Sequence, residues 1–237
     1  MTENNKPAPA QSRAEQLPLA FSHRSATGRE DLLVTAPLAA AVRIVDEWPR
    51  WPSPVVILAG PPGSGKSHLA AIWKNTSGAA EIVPELGADA ARVAEKGPVL
   101  FEDADRRGFN DTELFHVINS VRENGTSLLI TTRQWPATWP VALPDLRSRL
   151  KAATVVEIGE PDEDLLAQVL MKLFADRQLY MDDKLVSYIV ARMERSLDTA
   201  QMIVERLDSL AMARKTRIGR ALAAEVLTEM GSSLDDD

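Results

Sequence analysis

Val55-Val56-Ile57-Leu58-Ala59 runs directly into Gly60-Pro61-Pro62-Gly63-Ser64-Gly65-Lys66-Ser67, and this junction decides the fold. An unbroken apolar run of this length predicts a strand buried on both faces, as central parallel strands are. The next eight residues fit the complete G-x-x-x-x-G-K-S phosphate-binding pattern (the P-loop), and a helical pattern follows from about Lys66 to Lys74. The chemistry requires that placement. Glycines let backbone N–H groups curl around phosphates, and the helix start adds a partial positive charge. Lys66 can then reach the outer phosphates and Ser67 can ligate magnesium. An incidental Gly/Pro turn would need neither the strand before it nor the helix after it.

Working outward, strands are expected around residues 79–83, 99–101, 127–132 and 153–158. Helical segments are expected from Thr35 (with Leu38, Val42, Val45 and Trp48 at helical spacing), near 88–95, and over 111–123. Alternation of this kind predicts βαβ units, hence an α/β fold with a parallel five-stranded sheet. After Gly159-Glu160-Pro161 the pattern changes to helices alone, four of them up to Met230. The expected organisation is a tail over residues 1–27, an α/β nucleotide-binding domain over 28–159, a small all-α helical lid domain over 160–230, and an acidic tail over 231–237.

Bulk properties narrow the function classes. A hydrophobic content of 45% suffices for a real core, and the absence of cysteine removes disulfide frameworks and cysteine-based zinc sites. A net charge of −7 argues against a dedicated nucleic-acid binder, which needs a basic surface to neutralise phosphates. No apolar run approaches a membrane span and no signal pattern opens the chain, so a cytoplasmic protein with no membrane partner is expected.

Several further residues carry chemistry. A P-loop needs an acidic partner at a neighbouring strand end, and Val99-Leu100-Phe101-Glu102-Asp103 supplies Glu102 and Asp103. The usual order places Asp first, so Glu102 at the magnesium position predicts weak intrinsic ATP turnover. Thr131 and Thr132 end the next expected strand, where a hydroxyl can sense a phosphate, although threonine is common in strands for propensity alone. Arg147 and Arg149 precede the last strand, where an arginine can reach a nucleotide on a neighbouring subunit or simply form a surface ion pair. Arg195, near the third lid helix, can fold over the chain's own nucleotide. Trp135 and Trp139 are expected to pack against the domain, and His68 has no catalytic reading.

Taken together, Gly60–Ser67, Val99–Asp103, Phe115–Asn119, Leu128–Thr132, Leu143–Leu150 and Arg195-Ser196-Leu197 resemble the AAA+ module of the bacterial replication initiator DnaA, over residues 16 to 230. Two absences narrow the resemblance. The chain ends within a few residues of the fourth lid helix, where DnaA continues into a helix-turn-helix domain. The span from Val83 to Val99 also looks short for the extra helix that initiators use on origin DNA. What remains is similar to the Hda family of short DnaA homologues, in its alphaproteobacterial form (HdaA).

The resemblance implies an AAA+ core and lid holding ADP or ATP with Mg2+. Gly60, Pro61, Pro62, Gly63, Ser64, Gly65, Lys66, Ser67, Thr132 and Arg195 would contact the nucleotide, and Ser67 and Glu102 the metal. It implies a negative regulator of replication initiation that binds the sliding clamp (the polymerase β subunit) and stimulates hydrolysis of DnaA-bound ATP. Arg149 would act as the arginine finger in trans, and DNA would be met only through the clamp. Gln16-Leu17-Pro18-Leu19-Ala20-Phe21 fits the family's clamp-binding peptide. Gln16 would make polar contacts while Leu17, Leu19 and Phe21 enter an apolar groove. Sites completed in trans imply self-association or a hetero-pair. A helicase loader or DNA-engaged ATPase of the same fold, and an adaptor that uses nucleotide only as a clamp between core and lid, are the alternatives.

Overall fold

A computed structural model describes residues 36–234, the side chains of the last three excepted. The clamp-peptide residues Gln16, Leu17, Leu19 and Phe21 lie outside the described residues, as does Thr35.

Five strands form one parallel sheet: β1 (Val55–Ala59), β2 (Ala80–Glu81), β3 (Val99–Phe101), β4 (Leu128–Thr132) and β5 (Thr154–Glu157). Their spatial order is β2-β3-β4-β1-β5, with Val55 to Ala59 in register against Leu128 to Thr132. The P-loop strand is therefore central, flanked by β4 and β5, and all of its residues are buried. The pleat divides the core. Val55, Ile57, Phe101, Leu128 and Ile130 face one apolar cluster, completed by α3 (Asp89–Lys96), α5 (Asp111–Asn124) and α6 (Pro144–Lys151). Val56, Leu58, Leu100 and Leu129 face the other, under α1 (Ala39–Asp46) and α2 (Lys66–Ser77). On that face Trp73 is fully buried, stacked on Trp51 at 5.2 Å and met edge-on by Trp48 at 6.3 Å. Trp48 thus packs from beyond the end of α1 rather than from within the helix that its spacing suggested.

Helix ends follow local chemistry. Asn110 caps α5 by accepting from the amides of Thr112 and Glu113, and Gly125 ends that helix in the left-handed region. Such a cap is worth about 1 kcal/mol. Two short helices were not expected from periodicity: α4 (Ala104–Arg107) and α6. The sequence of α4, ADRR, has no apolar stripe, and α6 has only Leu146 and Leu150, although Pro144 at the first helical position and Asp145 in the first turn of α6 are start signals.

The C-terminal helices are α7 (Glu163–Asp176), α8 (Asp183–Val190), α9 (Leu197–Arg214) and α10 (Arg220–Leu234). Asp162, Asp182 and Ser196 cap the first three by accepting from the amide three residues on. A third apolar cluster, with Leu166, Leu170, Phe174, Ile189, Ile203, Val204, Leu207 and Val226, holds the four together. The helix α10 continues through Gly231, Ser232 and Ser233, residues that composition had assigned to the tail. Extending a nucleated helix gains a hydrogen bond per residue even for modest helix formers.

Glu81 on β2 ties two helices to the sheet edge. Its carboxylate accepts from Lys74 Nζ of α2 at 3.0 Å and from Arg107 Nη1 of α4 at 3.1 Å. The bond from Lys74, aided by Arg107, holds this carboxyl below its ordinary value of 4.5 against the opposing effect of burial. A carboxyl depressed on folding adds stability above its unfolded pKa and loses it as pH falls through the folded one. Glu81→Gln is expected to lower stability at pH 7 by about 0.5 to 1 kcal/mol, the range for solvent-screened pairs. In denaturant titrations the gap to the parent should hold from pH 7 to about 5 and narrow as pH falls below 4.5 through the folded pKa; a gap unchanged at acid pH would show that the lost contacts were not ionic.

Candidate functional site

The loop from Gly60 to Gly65 leaves β1 at the carboxyl edge of the sheet and ends at the start of α2. Open parallel sheets bind ligands at this edge. The Gly60 amide donates to the Thr132 carbonyl at 3.1 Å, which fixes the loop to the end of β4. A Cβ on Gly60 would collide with the Ile158 carbonyl beyond β5, so a side chain there would push the loop off the sheet. Gly63 has φ +63, and a Cβ there would overlap the Ser196 side chain. Lys66 is buried, and its ammonium donates to the carbonyls of Gly60 (2.9 Å) and Pro61 (2.7 Å) and to Ser64 Oγ (3.3 Å). Burial lowers its pKa, opposed by Asp103 and reinforced by the nearby charge of Arg133.

Beside the loop, β3 delivers Glu102 and Asp103. Glu102 is hydrogen-bonded to Ser67, and its Oε1 is buried without a hydrogen-bond partner among the described residues. Desolvation raises its pKa, the Ser67 bond opposing and the charges of Glu81 and Asp103 adding to the rise. An uncompensated carboxylate oxygen next to a P-loop hydroxyl is the donor set a small hard cation takes, so the residues present fit Mg2+. Among the described residues no group of three or more His, Cys, Asp or Glu could hold a metal by itself. Asp103 adopts the left-handed conformation (φ 50, ψ 45), and its amide donates to Thr131 Oγ1 at 2.9 Å.

The threonines are placed differently from the expectation for Thr132. Its hydroxyl donates to the Gln134 carbonyl at 2.9 Å and accepts from the Gln134 amide, so it shapes the turn after β4. Thr131 is committed to Asp103, and neither threonine lines the cavity described next. A hydroxyl at a strand end is as readily consumed by its own turn as offered to a ligand. Arg133, one residue on, reaches the cavity instead.

A cavity of about 410 Å3 lies between the P-loop, the ends of β3 and β4, and helices α7 and α9. Pro62, Gly63, Gly65, Lys66, Ser67 and Asp103 form one end with Arg106 and Arg133, while Leu38, Leu165, Val169, Leu173 and Leu197 make an apolar wall. One end is rich in donors and the other is greasy, and the volume suits a small-molecule ligand. The lid closes on the loop directly: Leu197 N donates to the Gly63 carbonyl at 2.8 Å, and Ser196 lies against Gly63. Arg195, expected at the nucleotide, does not line the cavity. It pairs with Glu163 at 2.8 Å, joining the starts of α9 and α7. Gly60, Pro61 and Ser64 likewise stand behind the lining, as partners of Lys66. His68 lines the cavity, as do Asp198 and Gln201 of α9, with no motif to announce them.

Arg149 is half-buried on α6, away from this cavity, and its guanidinium has no ion-pair or hydrogen-bond partner among the described residues. Arg147 is turned back onto the Val141 carbonyl. Trp139 is buried against Phe109 at 5.2 Å, whereas Trp135 is 44% exposed, so the packing expectation holds for one tryptophan and not for the other.

No protein-family model matches the chain. The chromosomal replication initiator protein DnaA of Thermomicrobium roseum is 26% identical over 117 residues, covering 49% of this chain and 25% of the relative. An uncharacterized Haemophilus influenzae protein is 23% identical over 188 residues, 73% of this chain and 81% of its own. Among solved structures, domain III of Thermotoga maritima DnaA superposes with a TM-score of 0.72 at 17% identity, covering 86% of this chain and 96% of that one. AMPPCP-bound DnaA from Aquifex aeolicus gives 0.64 at 16% identity over 78% of this chain and 68% of that one. The chain thus spans about a quarter of the length of the DnaA relative it matches by sequence. Its α/β core with five parallel strands and its C-terminal helices have the AAA+ fold of DnaA domain III.

Proposed function

We propose that this chain is a cytoplasmic nucleotide-binding regulator of replication initiation. It would hold ADP or ATP between core and lid, bind the sliding clamp through Gln16 to Phe21, and present Arg149 to the nucleotide of a partner DnaA. The observation that carries the nucleotide reading is the convergence of Lys66, Ser67, Asp103 and the lid residue Leu197 on one cavity with a polar and an apolar end. A DnaA whose fold it shares binds AMPPCP, which supports the same ligand class here.

In this reading the backbone amides of the loop and the Lys66 ammonium receive the phosphates, and the apolar wall takes the base. A magnesium ion held at Ser67 and Glu102 would shield the phosphate charge. Glu102 is one methylene longer than the aspartate usual at that position, which would shift the ion relative to the phosphates, in keeping with slow hydrolysis in cis. Because Leu197 and Ser196 rest on Gly63, a ligand in the loop also sets the lid. The partnerless Arg149 guanidinium is the group that would stabilise charge on a phosphoryl group bound to another subunit. The adaptor reading would keep every contact except that last one. A half-buried Arg149 whose guanidinium has no partner among the described residues favours the regulatory reading over it.

Lys66→Ala should abolish retention of nucleotide through purification, measured by chromatography of the heat-released ligand; full retention would remove the P-loop from the binding reaction. Arg149→Ala should leave the melting temperature and clamp binding unchanged, while lowering stimulated hydrolysis of DnaA-bound ATP by about a thousandfold, the lower end of the range for arginine fingers. That assay uses clamp loaded on DNA, and hydrolysis at the parental rate would discard the finger. Replacing Gln16 and Leu17 together by Ala should eliminate clamp binding in surface-plasmon measurements without changing nucleotide affinity. Clamp binding that persists would move the contact off this peptide.

A further inference from the structure

Two arginines that no motif assigns stand at the phosphate end of the cavity. Arg133 directly follows β4, which lies beside β1, and the Gly60 amide bonds to Thr132, the residue before it. The Arg133 backbone is pinned at this place because its amide donates to Asp105 Oδ1 at 3.1 Å. Arg106 is the next residue after Asp105 on α4, so one carboxylate organises the junction from which both guanidiniums enter the cavity. Neither guanidinium has a hydrogen bond or ion pair among the described residues, whereas the adjacent Arg107 is paired with Glu81. Arg133 and Lys66 line the same cavity, close enough for their charges to act on one another. Cationic side chains that line a cavity with no carboxylate bound to them are free to donate to an anion that enters between them.

The acids nearby are either bonded to other groups or make no hydrogen bond to the two guanidiniums. Lys172 and Asp176 form an ion pair at the lid side of the cavity, 3.1 Å apart. Lys66, Arg106 and Arg133 stand against Asp103, Asp105 and Asp198, so the charges balance in number, and what sets the two arginines apart is that no carboxylate engages their guanidiniums among the described residues.

We infer that Arg133 and Arg106 are phosphate-binding residues that, with Lys66, neutralise a nucleoside polyphosphate by side-chain charge, so that this site grips its nucleotide without needing magnesium. The inference rests on the nucleotide reading above and adds the means of charge compensation. Arg133, nearer the P-loop, is the stronger contributor, and Arg106 adds to it from α4. Glu102 can then be a weak metal ligand without loss of nucleotide.

The test is calorimetric titration of the full chain with ADP, in magnesium and again in excess EDTA, for the parent, Arg133→Gln, Arg106→Gln and Arg133→Lys. The parent dissociation constant is expected to change less than about threefold on removing magnesium. In EDTA, Arg133→Gln should bind at least tenfold more weakly and Arg106→Gln a few-fold more weakly, as expected for loss of a charge-assisted contact. Arg133→Lys should recover part of the loss, and magnesium should narrow the deficit of Arg133→Gln. Melting of each ligand-free variant at the parental temperature establishes that the fold is intact. Two results would overturn the inference: Arg133→Gln and Arg106→Gln both binding as the parent does in EDTA, or the parent itself weakening more than tenfold when magnesium is removed. A parent that binds neither ADP nor ATP under any condition would instead refute the nucleotide reading, and this inference with it.

Discussion

The hydrogen bond from the Leu197 amide to the Gly63 carbonyl is the constraint on which the arrangement of core and lid depends. It ties the start of α9 to the middle of the phosphate-binding loop, two segments more than a hundred residues apart in sequence. A side chain at residue 63 would occupy the space of Ser196, and Ser196 in turn accepts from Thr199 to cap α9. The loop's shape, the helix cap and the lid's position are therefore satisfied together. Whatever fills the cavity touches both sides of this contact, which is how a small ligand can stabilise one mutual placement of core and lid.

Beneath that contact the loop is held by the sheet. Parallel order puts β1 between β4 and β5, and the loop meets the backbone at both neighbours: the Thr132 carbonyl on one side and the Ile158 carbonyl on the other. Apolar side chains alternate to opposite clusters along β1, β3 and β4, so the strands cannot slip by one residue without reversing both faces. The rigidity of the core fixes the positions of Glu102, Asp103 and Arg133, which emerge from strand ends rather than from long loops. Polar groups placed this way are preorganised and lose little freedom when a ligand arrives.

Electrostatics separates the two ends of the cavity. The core side brings Lys66, Arg106 and Arg133 to the cavity beside Asp103 on a chain whose net charge is −7, while on the lid side Lys172 pairs with Asp176. Overall acidity therefore says little about this site, because a ligand a few ångströms away responds to local charge and the rest is screened.

Much of the fold was legible in the sequence because its signals are local. A buried apolar strand followed by a glycine-rich turn and a helix start has few structural alternatives, and the switch from βα alternation to helices after Pro161 marked where the sheet ends. The helices α4 and α6 were not legible, since their residues are mostly charged and give little or no apolar stripe. At the site, the sequence by itself determined the loop, Lys66, Ser67 and the carboxylates after β3, whose positions follow from their spacing to a strand end. Only the tertiary structure decided which polar groups reach the cavity. Thr132 is spent on its own turn and Arg195 on Glu163, while Arg133, Arg106 and Asp198 take up the places that remain. The physical reason is that a side chain's availability depends on its competing partners in space, and those are set by contacts between segments that the order of residues does not bring together.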